Sequence, residues 1–310
     1  MMTVEEYLQD ENNVSFDFTD DNDCYEYTLI NNPVDKYFAY RSSKDGIKGC
    51  VYPNASELAK KNVQKYKLVK DPDLNSSLLQ EIYKILWPQI CSKDYMLNNN
   101  WIQSDTMTSA QRTFNKTVEA IIETKEDREY RKSFGKKTKV SDAYCIELYA
   151  KDRDGLLEKV MQISGVDSFL GLYHTLGNYV AVPALFNAAR SGNCASHDYW
   201  DLTLLKIREY YLENSVFKIE ELLHGKGNVD NCKKWLDDFG SGEGGWKSFI
   251  NTLFFQDYVD EKYEVIPFCE GHNWDNVDIG DYKEFYLNVD RLIYLRGKRM
   301  FAECKKKRDI

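Results

Sequence analysis

The sequence predicts an α+β protein that is mainly α, a helical domain carrying a few short strands. Three observations predict it. From about residue 55 onward apolar residues recur every three to four positions, the helical period. The β-type runs are short and sit mostly between residues 10 and 54. The composition is that of a folded chain: 43% hydrophobic, 29% charged and 14% aromatic over 310 residues, which excludes disorder as the main state.

Taken in order, Val14-Ser15-Phe16-Asp17-Phe18 and Tyr25 to Ile30 read as short strands or extended loops within an Asp- and Asn-rich segment. Leu78, Ile82 and Ile85 share a helical face, and Pro88 stops that helix just after Trp87. Ala110, Phe114, Val118 and Ile121 predict a helix beginning near Asp105, and Leu156, Val160 and Ile163 continue the pattern. Trp200, Leu204, Ile207 and Tyr211 predict another, with Ser196 placed to cap it. Tyr282, Phe285, Val289 and Leu292 predict a C-terminal helix. Each stripe reads as core.

Two breaks interrupt the periodicity. Residues 125–139 hold seven Lys/Arg against three acids with little apolar pattern, which suits an exposed connector. Gly240-Ser-Gly-Glu-Gly-Gly245 reads as a flexible loop between helices. The expected organisation is an acidic N-terminal segment with short strands at 1–69 and a main helical domain at 70–310. A soft internal boundary falls near 125–140. No repeat or low-complexity tract is present in the sequence.

The chain carries 41 basic and 50 acidic residues, a net charge of −9. That balance excludes a protein coating nucleic acid or anionic membrane over its whole surface, but it is uneven. Acids dominate before residue 54, and bases dominate at 125–139 and at 291–308. The eight cysteines are widely spaced with no CxxC pair, which fits reduced thiols and excludes a local zinc ribbon. The N-terminus shows neither a basic n-region nor an apolar h-region, and no run approaches the ~18 apolar residues of a membrane helix. A cytoplasmic protein with no membrane partner is expected.

Common catalytic signatures are missing. In the 240–248 segment Trp246 stands where a P-loop needs its lysine, so phosphate cradling is not expected. Asp20, Asp21, Asn22 and Asp23 lack the mid-loop Gly and distal Glu of a calcium loop. There is no HxH, HExxH or GxSxG. No cofactor is evident, and no metal-ligating set is assigned.

The informative stretch is 174–205. Gly177-Asn178 followed by Tyr-Val-Ala-Val and Pro183 reads as a turn feeding a short strand that ends at the proline. Asn187 and Arg190 are three apart and so share one face of a helix. With His174 and His197 they form a compact polar block, giving the candidate catalytic or binding residues His174, Asn178, Asn187, Arg190 and His197. Two alternatives to a site stay open: Asn178 satisfying backbone groups in its turn, and Arg190 pairing with Asp198 or Asp201.

His174-Thr-Leu-Gly-Asn178, Pro183, Phe186-Asn187, Arg190, Asp198-Tyr-Trp-Asp201 and Leu204 resemble an uncharacterised bacterial family with the pattern HTxGN…P..FN..R…DYWD..L. Weaker matches at Asp71-Pro72-Asp73, Ser104-Asp105-Thr106-Met107, Trp235 to Phe239, Ile266-Pro267-Phe268, Arg296 and Met300 extend the resemblance over roughly 70–300. The family implies a relative and no reaction. More distantly, the block resembles the second half of the HNH (ββα-metal) nuclease finger of certain modification-dependent restriction systems. That resemblance implies a hairpin role for Asn178 and, for Asn187, a helix position that helps hold a divalent ion. Such a finger also needs a general-base histidine on its first strand, and no histidine precedes His174. It therefore implies a degenerate finger, or a convergent Gly-Asn turn, with a divalent metal only if the finger holds.

Three functions are consistent with the sequence. One is a protein with an HNH-like core that associates with nucleic acid through residues 125–139 and 291–308. The second is a helical small-molecule or peptide binder. The third is an enzyme of unknown class pairing His174 or His197 with Asp198 or Asp201. No protein partner is assigned.

Overall fold

The computed structural model describes residues 2–21, 72–108, 117, 159, 162–190, 199–213, 215–224, 227–268 and 279–309. Helix accounts for 66% of it and the strands are short, so the fold is mainly α with some β.

The spine is the C-terminal helix. Its buried residues Tyr282, Phe285, Tyr286, Val289, Leu292, Ile293, Arg296, Met300, Phe301 and Cys304 recur at steps of one, three and four, a broad apolar stripe. That stripe extends the expected helix to Ile279–Lys307, 29 residues or roughly 44 Å. Against it pack the N-terminal helix α1 (Val4–Gln9), α3 (Ser77–Leu86) and α5 (Val166–Leu172). Between α1 and α3 the chain adds α2 (Pro72–Asn75), and after α3 comes α4 (Pro88–Cys91). Helix α3 starts at Ser76, whose hydroxyl accepts the Leu79 amide at 3.1 Å, and ends at Trp87; Pro88 then opens α4 at its first position, where a missing N–H costs nothing.

Four further helices form a second layer: α7 (Asp201–Glu213), α8 (Val216–Leu222), α9 (Val229–Asp237) and α10 (Gly242–Thr252). Helix α6 (Phe186–Arg190) lies before them, and the C-terminal helix is α11. The core between α6, α7, α9 and α10 is aromatic. Trp200 stacks on Phe255 at 5.3 Å, Phe249 on Phe255 at 5.7 Å, and Phe186 meets Trp235 edge-on at 5.4 Å. Trp87 joins the two layers through a hydrogen bond from its indole to the Thr252 carbonyl at 2.7 Å.

The strands make two antiparallel pairs. β1 (Leu97–Asn98) pairs with β2 (Trp101–Ile102), and the Gln80 side chain clips Ile102 to α3 with two bonds of 2.9 and 3.0 Å. β3 (Ser104–Thr106) pairs with β4 (Tyr179–Ala181) in the register Ser104↔Ala181, Asp105↔Val180, Thr106↔Tyr179.

Three expectations are corrected. Residues 14–18 are not a strand: Glu11–Ser15 and Phe18–Asp20 are 3-10 turns. Asp10 caps the first by accepting the Asn12 amide at 2.9 Å, and Asn13 donates back to the Tyr7 carbonyl at 2.9 Å, so local polar bonds outcompete an extended ladder. Asp105 does not begin a helix but is the middle of β3, held by its pairing with β4. The glycine loop is mostly helix. Only Gly240-Ser241 turn, and Gly242 starts α10, because burial of Trp246, Phe249 and Ile250 outweighs the ~1 kcal/mol cost of each helical glycine. The periodic residues at 110–114, 118, 121, 156 and 160, the run 25–30, the cap Ser196 and the basic segment 125–139 lie outside the described residues. The described N-terminal residues join the main core: Tyr7 meets Phe301 at 5.3 Å, and Arg308 pairs with Glu5 at 3.1 Å. Among the described residues, no helix is long and apolar enough to cross a membrane.

Candidate functional site

The candidate block begins where α5 ends. Thr175 to Asn178 form a tight turn whose Gly177 lies directly on α11. A Cβ at Gly177 would stand 1.9 Å from the Ile293 carbonyl oxygen and 2.8 Å from the Gly297 nitrogen. Only hydrogen fits, so glycine here serves the close crossing of two backbones. The freed space is used by Arg296, which is fully buried. Its Nη1 donates to the carbonyls of Gly177 (2.8 Å) and Tyr179 (2.6 Å), while Nε and Nη2 donate to the Leu253 carbonyl at 3.1 and 3.0 Å. The guanidinium also stands 5.1 Å from the Phe255 ring centre. Burial lowers its pKa to about 10, still charged at neutral pH. One helix side chain thus ties the turn, β4 and the end of α10 together.

Asn178 is fully buried and holds backbone. Its Nδ2 donates to the carbonyls of Thr108 (3.2 Å) and Tyr173 (2.8 Å), and its Oδ1 accepts the Thr108 amide at 3.0 Å. This is the backbone-satisfying alternative named above, extended across a separation of 70 residues.

Arg190 is buried too, and it pairs with Asp105, 85 residues earlier; of the two carboxylates named from sequence, Asp198 lies outside the described residues. Nε and Nη2 both approach Asp105 Oδ2 at 2.6 Å, Nη1 reaches the Thr203 hydroxyl at 3.3 Å, and the Trp200 ring lies 5.1 Å away. The Trp200 indole donates to the Thr106 carbonyl at 3.2 Å. β3, α6 and α7 meet in this one charged knot. Asp201 works elsewhere: Oδ1 accepts the Leu202 amide and Oδ2 accepts the Phe268 amide, each at 2.8 Å.

Asn187 points away from this knot. It is exposed while Arg190, three residues on, is buried, so the shared-face expectation is corrected. On a helix of five residues the apolar anchors Phe186 and Ala189 set the rotation, and Arg190 turns inward with them. His174 is buried beside Tyr173, ring centres 4.3 Å apart, with Nδ1 3.8 Å from Asp17 Oδ1. A carboxylate does stand beside it, but from the N-terminal turns, and its own carbonyl accepts the Phe18 amide at 3.1 Å. His197 lies outside the described residues.

β3 pairs with β4 and α6 follows β4, the parts an HNH finger would use, but α5 intervenes between the two strands. Residues 107–178 separate them, and β3 offers Asp105, engaged with Arg190, where such a finger has its histidine. Among the described residues, no group of three or more His, Cys, Asp and Glu side chains is placed to hold a metal ion. Burial raises the thiols of Cys91 to about 12 and of Cys304 to about 11, which keeps them protonated and weakly nucleophilic. Burial also raises Asp290, on the α5 side of α11, to about 7, partly offset by the Ser168 hydroxyl.

Sequence reasoning missed Asp105, Thr203 and the inward turn of Arg296. A signal for Arg296 existed: it falls four residues after Leu292 and four before Met300, within the apolar stripe.

These features define a mainly helical α+β protein into whose core the described parts of the block, 174–190 and 199–201, are knitted. The chain belongs to the family described as "Family of unknown function (DUF6994)", whose model matches residues 58–300. No curated protein and no solved structure matches it.

Proposed function

We propose that this is a cytoplasmic bacterial protein that associates with nucleic acid through the exposed face of α11, its 174–201 block serving the fold as a degenerate HNH-like finger. One observation carries the reading. Of the eight Lys/Arg in 291–308, four are held by a carboxylate or a backbone carbonyl, and Arg291 meets only the neutral Asn288 side chain at 3.3 Å. Arg296 is buried, and Arg299 chelates Asp257 at 2.9 and 3.1 Å. Lys307 donates to the Leu86 carbonyl at 2.7 Å, and Arg308 pairs with Glu5. Lys306 leans toward Glu303 at 3.8 Å. The remaining three, Arg291, Lys298 and Lys305, recur every seven residues. Two helical turns separate each from the next, so they line one face about 10.5 Å apart. Among the described residues no carboxylate stands within ion-pair distance of any of them. A row of uncompensated cations on an acidic protein suits a phosphate backbone. The antiparallel pairing of β3 with β4 and the helix α6 after β4 support the finger ancestry, and a divalent ion enters this reading only there, at Asn187.

The test is binding of a labelled oligonucleotide to the full chain between 50 and 300 mM salt. Three phosphate contacts contribute about −2 to the slope of log K against log salt for a single strand and about −3 for a duplex. Replacing Arg291, Lys298 and Lys305 together by alanine is expected to remove that part of the slope and to weaken binding at least tenfold at 100 mM. Absence of binding at 50 mM salt, or a triple variant that binds like the parent, overturns the reading.

A protein- or peptide-binding reading is favoured by one separate feature. Leu212, Val216 and Phe217 are exposed together at the α7–α8 corner, beside the Lys206–Glu221 and Lys218–Glu209 pairs.

A further inference from the structure

We infer that the strand held by α11 is single, and that Tyr294 is the platform on which one of its unpaired bases stacks. The inference rests on the nucleic-acid reading above and names its ligand class. Arg291, Tyr294 and Lys298 follow at i, i+3 and i+7, which places the ring between two cations on one face. Tyr294 is 44% exposed, and the Lys298 ammonium stands 5.6 Å from its ring centre. Aromatic side chains are abundant in this protein, but nearly all described ones are interior. Among the described residues only Phe217, at 59%, and Tyr294 are exposed this far. Phe217 sits in an apolar corner beside paired charges. Tyr294 sits among the unpaired ones, where a ring gains most from a base whose phosphates the neighbours hold. The stripe continues through Leu287 and Ala302, both exposed, and meets an exposed acid only at Glu284 toward its N-terminal end.

Stacking decides between single strand and duplex. Bases inside a duplex already have both faces stacked and offer nothing to a tyrosine. An extended single strand leaves its bases open to one. It lies along the ridge with phosphates at Arg291, Lys298 and Lys305 and a base turned onto Tyr294.

The experiment uses the full chain with five probes of equal length: single-stranded RNA, single-stranded DNA, the matching duplex, an abasic single strand and polyglutamate. Tighter binding of either base-bearing single strand than of duplex or abasic strand, by tenfold or more, supports the inference. Tyr294→Ala should weaken base-bearing strands by about 5- to 100-fold, the range a stacked base contributes, while leaving the salt slope unchanged. Tyr294→Trp should keep the affinity. If the triple cation variant weakens binding but Tyr294→Ala does not, or if duplex or polyglutamate binds as well as the single strands, the platform is wrong while cation-driven association stands. If no nucleic-acid probe binds, both readings fail.

Discussion

Replacing Gly177 by alanine adds one methyl group, and the structure leaves no room for it. The new Cβ would lie 1.9 Å from the Ile293 carbonyl oxygen, where ordinary contact needs about 3.4 Å or more. The turn and α11 must therefore separate by roughly 1.5 Å. That displacement pulls the carbonyls of Gly177 and Tyr179 from Arg296 Nη1, now at 2.8 and 2.6 Å. Hydrogen bonds from a charged donor contribute about 1.5–3 kcal/mol each, so weakening both costs about 3–5 kcal/mol. Alanine's smaller unfolded-state entropy offsets this by less than 1 kcal/mol. The net loss is about 2–5 kcal/mol, so at about 2 °C per kcal/mol for a chain this large the melting temperature should fall by roughly 4–10 °C, and the urea midpoint with it. The neighbouring glycine supplies the contrast. A Cβ at Gly297 meets nothing closer than 3.4 Å, and alanine is the better helix former by about 1 kcal/mol. Gly297→Ala should then be neutral or stabilising by up to about 1 kcal/mol. A Gly177→Ala protein melting within 2 °C of the parent, or the two variants changing alike, would refute the close-crossing argument.

Other expectations follow from the same contacts. Asp105→Asn takes a buried carboxylate from the Arg190 guanidinium and should cost about 3–5 kcal/mol in urea unfolding. The double change Asp105→Leu with Arg190→Met should recover much of that loss, and a double variant no better than Asp105→Asn would argue against the pair. Asp290, 9% exposed, keeps its proton to about pH 7 when folded and loses it near pH 4 when unfolded. Its contribution to stability is whole below about pH 4 and declines as pH rises to about 7, because only the folded state holds the proton in that window. Relative to the parent, Asp290→Asn should gain about 2–3 kcal/mol between pH 5 and pH 8, read from melting curves; a constant difference across that range would contradict the buried-carboxyl account.

How much was readable beforehand depended on distance along the chain. The faces of α3, α7 and α11 follow from spacings of three and four residues, and the end of α3 from Pro88, all information within a few turns. The short strand after Gly177-Asn178 was readable for the same reason. What misled was local pattern without local autonomy. Alternating Val14, Phe16 and Phe18 looked like a strand, but Asp10 and Asn13 close turns there. Asp105 resembled a helix start because its strand partner lies beyond residue 178. The candidate block stood out in the sequence for its clustered polar residues. Its unusual residues bond backbone and charges brought from residues 105–108, 253 and 296, and spacing within the block carries no trace of them.

The sequence by itself determined the helical class, the core faces and the uneven charge, because each is set by which side chains recur over a few residues. Only the tertiary structure decided which polar groups face inward. Arg190 and Arg296 read like any surface arginine until a buried carboxylate and three carbonyls are folded around them, while Arg291, Lys298 and Lys305 are left outside. The physical reason is that a charge is buried only where distant segments together supply its partners, and those partners exist only once the chain has folded.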